Sequence, residues 1–212
     1  MGGKVLGAVR HPLGAMDFAS FLLQAQQSKA KIIGLANSGR DTQNALRQAR
    51  EFGITAAGQK IVPLLLFDTD VEGAGLDLAQ GLLFTTGFYW DYNDATRKWS
   101  HRFYEITHTM PTMIQAGMYS ATMHYLEAMR DTGTDNADAV MAKMKATPID
   151  DFYTRGGKIL PNGLMVHDMY LAEVKSPQQS TSKWDILTIK AVIPGDQAYQ
   201  PLKDSSCRLT AN

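Results

Sequence analysis

From position 61 to 67 the chain is almost unbrokenly apolar, Ile-Val-Pro-Leu-Leu-Leu-Phe, and it turns polar abruptly at Asp68-Thr69-Asp70. A run of this kind predicts a strand buried on both faces of a parallel sheet. Its carboxyl end gathers polar groups at the edge where the loops of an open α/β sheet leave a crevice for ligands. Residues 72–80 then read as a short helix or turn, 81–86 as a second strand, and Gly87-Phe-Tyr-Trp90 as an aromatic passage out of the sheet.

Upstream, strand and helix alternate, which predicts a right-handed βαβ series with every strand feeding a loop on one sheet edge. Residues 4–9 form a short apolar run that reads as the first strand. Phe18, Phe21, Leu22 and Ala25 follow at the spacing of one helix face, with Asp17 suited to the first turn. Residues 31–36 read as another strand and end in the polar loop Asn37-Ser-Gly-Arg-Asp41. A helix is predicted over 42–52, with Ala45, Leu46, Ala49 and Phe52 on one face and Gly53 as its stop.

Beyond the aromatic passage the pattern becomes helical. Residues 94–106 place Trp99, Phe103 and Ile106 along one face. Pro111 opens a long helix over about 112–130 that Gly133 ends, and 136–145 forms a third helix carrying Val140, Met141 and Met144. Three helices without an interleaved strand look like one covering layer of a second α/β unit. The tail turns to β: hairpin punctuation over 156–163, a strand at 169–174, a polar turn at 177–182 and a last strand at 184–193.

Composition narrows the function classes. The 212 residues are 44% hydrophobic and 20% charged, ordinary globular material. Lysine plus arginine equals aspartate plus glutamate at 21 each, so no net field recruits nucleic acid or an anionic membrane. No apolar run approaches the ~20 residues of a membrane span, and Met1-Gly-Gly-Lys lacks the apolar core of an export signal. Cys207 is the one cysteine, so neither an internal disulfide nor a cysteine-rich zinc site is expected. The five histidines are scattered without an HExxH, and no GxSxG elbow, Walker A loop or dinucleotide fingerprint is present. Asp68, Asp70 and Glu72 are close enough to suggest a metal or an acid/base pair, but helix-start charge explains two of the three more simply. The five methionines from Met110 to Met129 read as core filling. The expectation is a binding module with no catalytic residue, no metal and no cofactor.

The order of certain segments carries a resemblance. Lys31-Ile-Ile-Gly-Leu-Ala-Asn37, Phe52-Gly-Ile54, Phe88-Tyr-Trp-Asp91, Arg97-Lys-Trp-Ser-His-Arg-Phe103, Ala116-Gly-Met-Tyr-Ser-Ala121 and Met169-Tyr-Leu-Ala-Glu-Val-Lys175 resemble the periplasmic solute-binding proteins of branched-chain amino-acid-type ABC transporters. The resemblance implies a type 1 periplasmic-binding-protein fold, α/β, with a parallel Rossmann-like sheet in one lobe and the helices of an incomplete second lobe. It divides the chain into 1–86 as part of the second lobe, 87–164 as a crossover and the helical part of the first, and 165–212 as the return. Phe88-Tyr89 and residues 159–164 would be interlobe strands. It implies a periplasmic protein whose export signal and most of whose first lobe lie outside this sequence. An inner-membrane permease would be its partner, and self-association through the incomplete lobe is expected.

The binding residues then follow from the strand ends. Asn37, Ser38, Gly39 and Asp41 would either bind a carboxylate or amine or merely cap the following helix. Phe67 would give a stacking face and Asp68 a charge partner, against core packing for Phe67; Asp70 could equally cap a helix. Tyr89 would be an aromatic cleft wall or hinge packing. The implied function is reversible capture of a small carboxylated solute, an amino acid or aromatic acid, for import. The alternatives are a cytoplasmic ligand-sensing regulator of the same fold, or a small α/β hydrolase.

Overall fold

The computed structural model describes residues 2–208, so Met1 lies outside the described residues. The chain divides into two compact units, residues 1–85 with 172–188, and residues 86–171 with 189–212.

The first unit runs α1 (Ala19–Gln27), β1 (Ile32–Leu35), α2 (Gly39–Glu51), β2 (Lys60–Pro63), α3 (Asp68–Ala74), α4 (Leu76–Ala79) and into β3 (Leu83–Thr86). β1 and β2 pair in parallel, with Ile33 opposite Ile61 and Leu35 opposite Pro63. This register puts the four side chains on one buried face, because strand side chains alternate. Phe18 and Leu22 from the start of the chain and Ala45, Leu46 and Ala49 from α2 complete the core with Ile54 and Val71. Ser38 stands at the N-cap of α2, and Gly53 follows its end in the left-handed region at φ 64°, where a side chain would be strained.

Two strand expectations are corrected. Residues 4–9 form no strand; Val5 is 85% exposed and Leu6 and Val9 are also exposed. An apolar run becomes a strand only when another strand meets its backbone, and the sheet of β1 and β2 offers it no pairing. The run at 61–67 is a strand only to Pro63, with a single buried face; Leu64 and Leu65 are exposed. The missing backbone N–H of Pro63 suits the end of a strand.

The second unit contains α5 (Asp94–Thr107), α6 (Met113–Thr132), α7 (Ala137–Ala146), β4 (Lys158–Ile159) and β5 (Met165–Val166). Each long helix has a side-chain cap. Asn93 Oδ1 accepts the Thr96 N–H at 3.0 Å while Thr96 Oγ1 accepts the Asn93 N–H at 2.9 Å, and Thr112 and Gln115 repeat the arrangement at α6. Gly133 ends α6 at φ 66°. The core is aromatic: the Trp99 ring stacks on Phe152 at 4.2 Å, and Phe88 stacks on Tyr153 at 6.0 Å. Of the expected buried faces, Trp99 and Val140 are buried, but Ile106 is 82% exposed and Met141 is exposed. The buried stripe of α5 is Thr96, Trp99 and Ser100, and it ends before the last turn. Phe88 and Tyr89 are irregular, not strand, because the Thr86 hydroxyl donates to the Phe88 carbonyl at 2.9 Å and folds the chain there. Residues 160–164 form the turn of the β4–β5 hairpin.

β6 (Met169–Val174) and β7 (Leu187–Ile193) join β3 in a three-stranded sheet of order β3-β6-β7. Each passage of the chain from one unit to the other falls inside one of these strands. No helix among the described residues is long and apolar enough to cross a membrane.

Candidate functional site

Parallel pairing of β1 and β2 brings their carboxyl ends side by side, and the Leu64 N–H donating to the Leu35 carbonyl at 2.9 Å extends the ladder one step beyond them. The loops that follow, around Asn37 to Gly39 and around Leu66 to Asp68, therefore leave the sheet together. Asp70 ties them. Its Oδ2 accepts the Phe67 N–H at 3.1 Å, closing the first turn of α3, and the carboxylate also accepts the N–H of Gly39, the first residue of α2. Burial pushes the Asp70 carboxyl up, and these two N–H groups hold it back down.

Around this brace the candidate residues separate by what their polar atoms already do. Asn37 is committed internally: its Oδ1 accepts from the Thr42 hydroxyl at 2.9 Å and its amide meets His11 Nε2 at 3.3 Å. Asp41 is buried, and its Oδ2 accepts the Gly14 N–H at 3.1 Å. Ser38 is exposed and Gly39 is half-buried, and the Ser38 hydroxyl makes no cap bond to α2. Phe67 is half-buried, presenting part of its ring. Asp68 is only 1% exposed, and its Oδ2 is buried without a hydrogen-bond partner. Burial above all, with Asp70 nearby, raises its carboxyl to about 7 against the opposition of its own backbone N–H. Tyr89 belongs to the other unit, where it is buried with its ring against Trp90 at 6.1 Å.

The structure adds residues that the sequence pattern did not single out. The His11 imidazole lies against the loop after β1, touching Asn37 and packing edge-on to Phe18 at 4.8 Å. Along α2, Asp41, Asn44 and Gln48 form a polar stripe that clasps the irregular segment before α1. Asn44 Nδ2 donates to the Ala15 carbonyl at 3.4 Å, and Gln48 accepts the Phe18 N–H at 2.7 Å and donates to the Met16 carbonyl at 2.9 Å. The i, i+3, i+7 spacing of this stripe was visible in the sequence, but not which backbone it holds. The arrangement presents a hydroxyl, the first turn of a helix and part of an aromatic face beside each other. That is equipment for reversible polar and stacking contacts.

Comparison with known proteins bears on what such equipment is for. The family model for periplasmic binding proteins matches residues 1–181. The chain belongs to the periplasmic binding protein family. Its structure matches a periplasmic binding protein from Burkholderia mallei at TM-score 0.94 and 49% identity, over 98% of this chain and 55% of that one. It matches a branched chain amino acid ABC transporter periplasmic ligand-binding protein from Burkholderia xenovorans LB400 at TM-score 0.89 and 40% identity, over 99% of this chain and 56% of that one. An ABC transporter solute binding protein from R. palustris, solved in complex with 4-hydroxybenzoate, shares the fold at TM-score 0.77 and 19% identity, over 92% of this chain and 53% of that one. This chain spans about half the length of these solved structures. No curated protein matches. The expected type 1 periplasmic-binding-protein fold is thereby established, and periplasmic binding proteins are non-enzymatic solute receptors.

Proposed function

We propose that this periplasmic binding protein is the solute-binding component of an ABC importer, and that the loops after β1 and β2 form one wall of its site. The observation that carries the reading is the Asp70 brace, which holds Gly39 and Phe67 in a fixed relation at adjoining strand ends. The first turn of α2 and the Ser38 hydroxyl favour a carboxylate, since a helix N-terminus attracts negative charge. Phe67 favours an aromatic or branched side group beside it. Asn37, Asp41 and Asp68 act through the scaffold: the first two fix the loop and the third is sealed beneath it. The solute is a small carboxylate, an amino acid or aromatic acid, bound unchanged in the periplasm and passed to an inner-membrane permease.

Isothermal titration of the intact protein with L-leucine and 4-hydroxybenzoate tests this. Saturable binding of at least one is expected, with Phe67→Ala weakening it about tenfold. Absence of binding by both, or a Phe67→Ala protein that binds as well as the parent, would overturn the reading. Self-association belongs to the same proposal. Ile114, Met118 and Leu126 on α6 are exposed apolar side chains suited to a second copy, and light scattering after size exclusion would show a dimer or larger species.

A further inference from the structure

The second unit contains a cavity of about 400 Å³ that the solute site does not use. Its walls come from α6, α7, the β4–β5 hairpin and the segments carrying Tyr153 and His167. Most of the lining is apolar, with Met141, Met144, Ile149, Ile159 and Met165 around a floor opened by Gly117. No lysine, arginine, aspartate or glutamate lines it.

One polar group in this wall is incompletely used. His167 Nδ1 lies 2.7 Å from the Asp168 carbonyl, which only accepts, so the imidazole proton is on Nδ1. Nε2 is left with one lone pair. The Tyr199 hydroxyl takes it at 2.7 Å, while the Tyr153 hydroxyl stands 3.4 Å from the same nitrogen. A single lone pair cannot satisfy both donors well, so the Tyr153 O–H remains available. Burial and neighbouring Tyr199 raise the Tyr153 phenol, so it keeps its proton at any physiological pH. The ring is firmly seated: it stacks on Phe88, and a Cβ on Gly117 would stand 3.5 Å from it.

We propose that this cavity is a second ligand site, which takes a small neutral aromatic or branched-aliphatic molecule bearing one hydrogen-bond acceptor, held by the Tyr153 hydroxyl. The volume falls in the range of small-molecule sites, and the lining offers no lysine or arginine to balance the charge of a carboxylate. The methionines suit a site that accepts more than one apolar shape. This ligand differs in charge from the carboxylated solute proposed for the loops after β1 and β2, and the inference does not depend on that reading.

Acetophenone and ethylbenzene, nearly equal in shape but differing in the acceptor, are the probes. In intact protein carrying ¹³C-methyl methionine, both should shift the methyl signals of Met141, Met144 and Met165 saturably, acetophenone binding about fivefold tighter. Tyr153→Phe should bring acetophenone down to the hydrocarbon's affinity and leave ethylbenzene unchanged. Ala121→Trp, an exposed position at the lining, should abolish both while leaving solute titration at the other site as in the parent. It also serves as the folded control should the Tyr153 variant fail to fold. No saturable shift at these three methyls, equal affinity for the two probes, or undiminished binding in Ala121→Trp each overturns the proposal.

Discussion

Asp68 is a carboxylic acid sealed inside the first unit, with one oxygen unpaired and its carboxyl raised from 3.8 to about 7. Below about pH 4 it is protonated in the folded and unfolded chain alike, so its burial costs nothing electrostatic. As pH rises from there the unfolded chain ionises first and folding becomes progressively less favourable, until the loss is complete above about pH 7. A shift of this size amounts to at most about 4 kcal/mol. Denaturant titrations should therefore show stability falling between pH 4 and 8 in the parent, and Asp68→Asn should flatten that slope and be the more stable protein at pH 8. Asp70 behaves oppositely on removal. Asp70→Ala leaves the Phe67 and Gly39 N–H groups without their shared acceptor and should cost about 2 kcal/mol by chemical denaturation, with solute affinity falling in parallel. Neither role was legible from residue type alone. The motif Asp68-Thr-Asp70 announced a helix start, which it is, but the burial of one carboxylate and the reach of the other to Gly39 depend on β1 and β2 lying side by side.

At the scale of elements, local signals read well where the chain itself enforces them. Gly53 and Gly133 mark helix ends through left-handed backbone, and Asn93, Thr112 and Asn136 start helices with their own side chains. Apolar runs misled where burial depends on a neighbour. Residues 4–9 have strand composition without a strand partner, Leu64 and Leu65 lie exposed just past the end of β2, and Ile106 has helical spacing beyond the end of its helix's buried stripe. The clasp of α2 was illegible for the same reason, since Gln48 holds Phe18 across 30 positions of sequence. Its strength can be measured locally. Gln48→Ala should speed amide exchange of Phe18 by about tenfold while the α6 amides keep their protection, in hydrogen-exchange mass spectrometry resolved by peptide. On α5, Asn93→Ala should cost about 1 kcal/mol in thermal or denaturant unfolding, the ordinary worth of a lost N-cap.

For the molecule as a whole, neither unit is a continuous stretch of sequence. The first is completed by residues 172–188 and the second by 189–212, with every passage lying within β3, β6 or β7. The first unit's finishing segment brings substantial core: Val174, Trp184, Ile186 and Leu187 are buried, and Lys175 pairs with Asp185 beside them. A chain emerging from the ribosome makes β3 long before β6 exists to receive its hydrogen bonds. Nascent chains arrested before residue 172 should accordingly stay open to protease over residues 2–85, and protection should appear only once residues up to about 190 have cleared the exit tunnel. Synthesis order would then act as a safeguard, withholding the finished first unit until its last segment, residues 172–188, has been made.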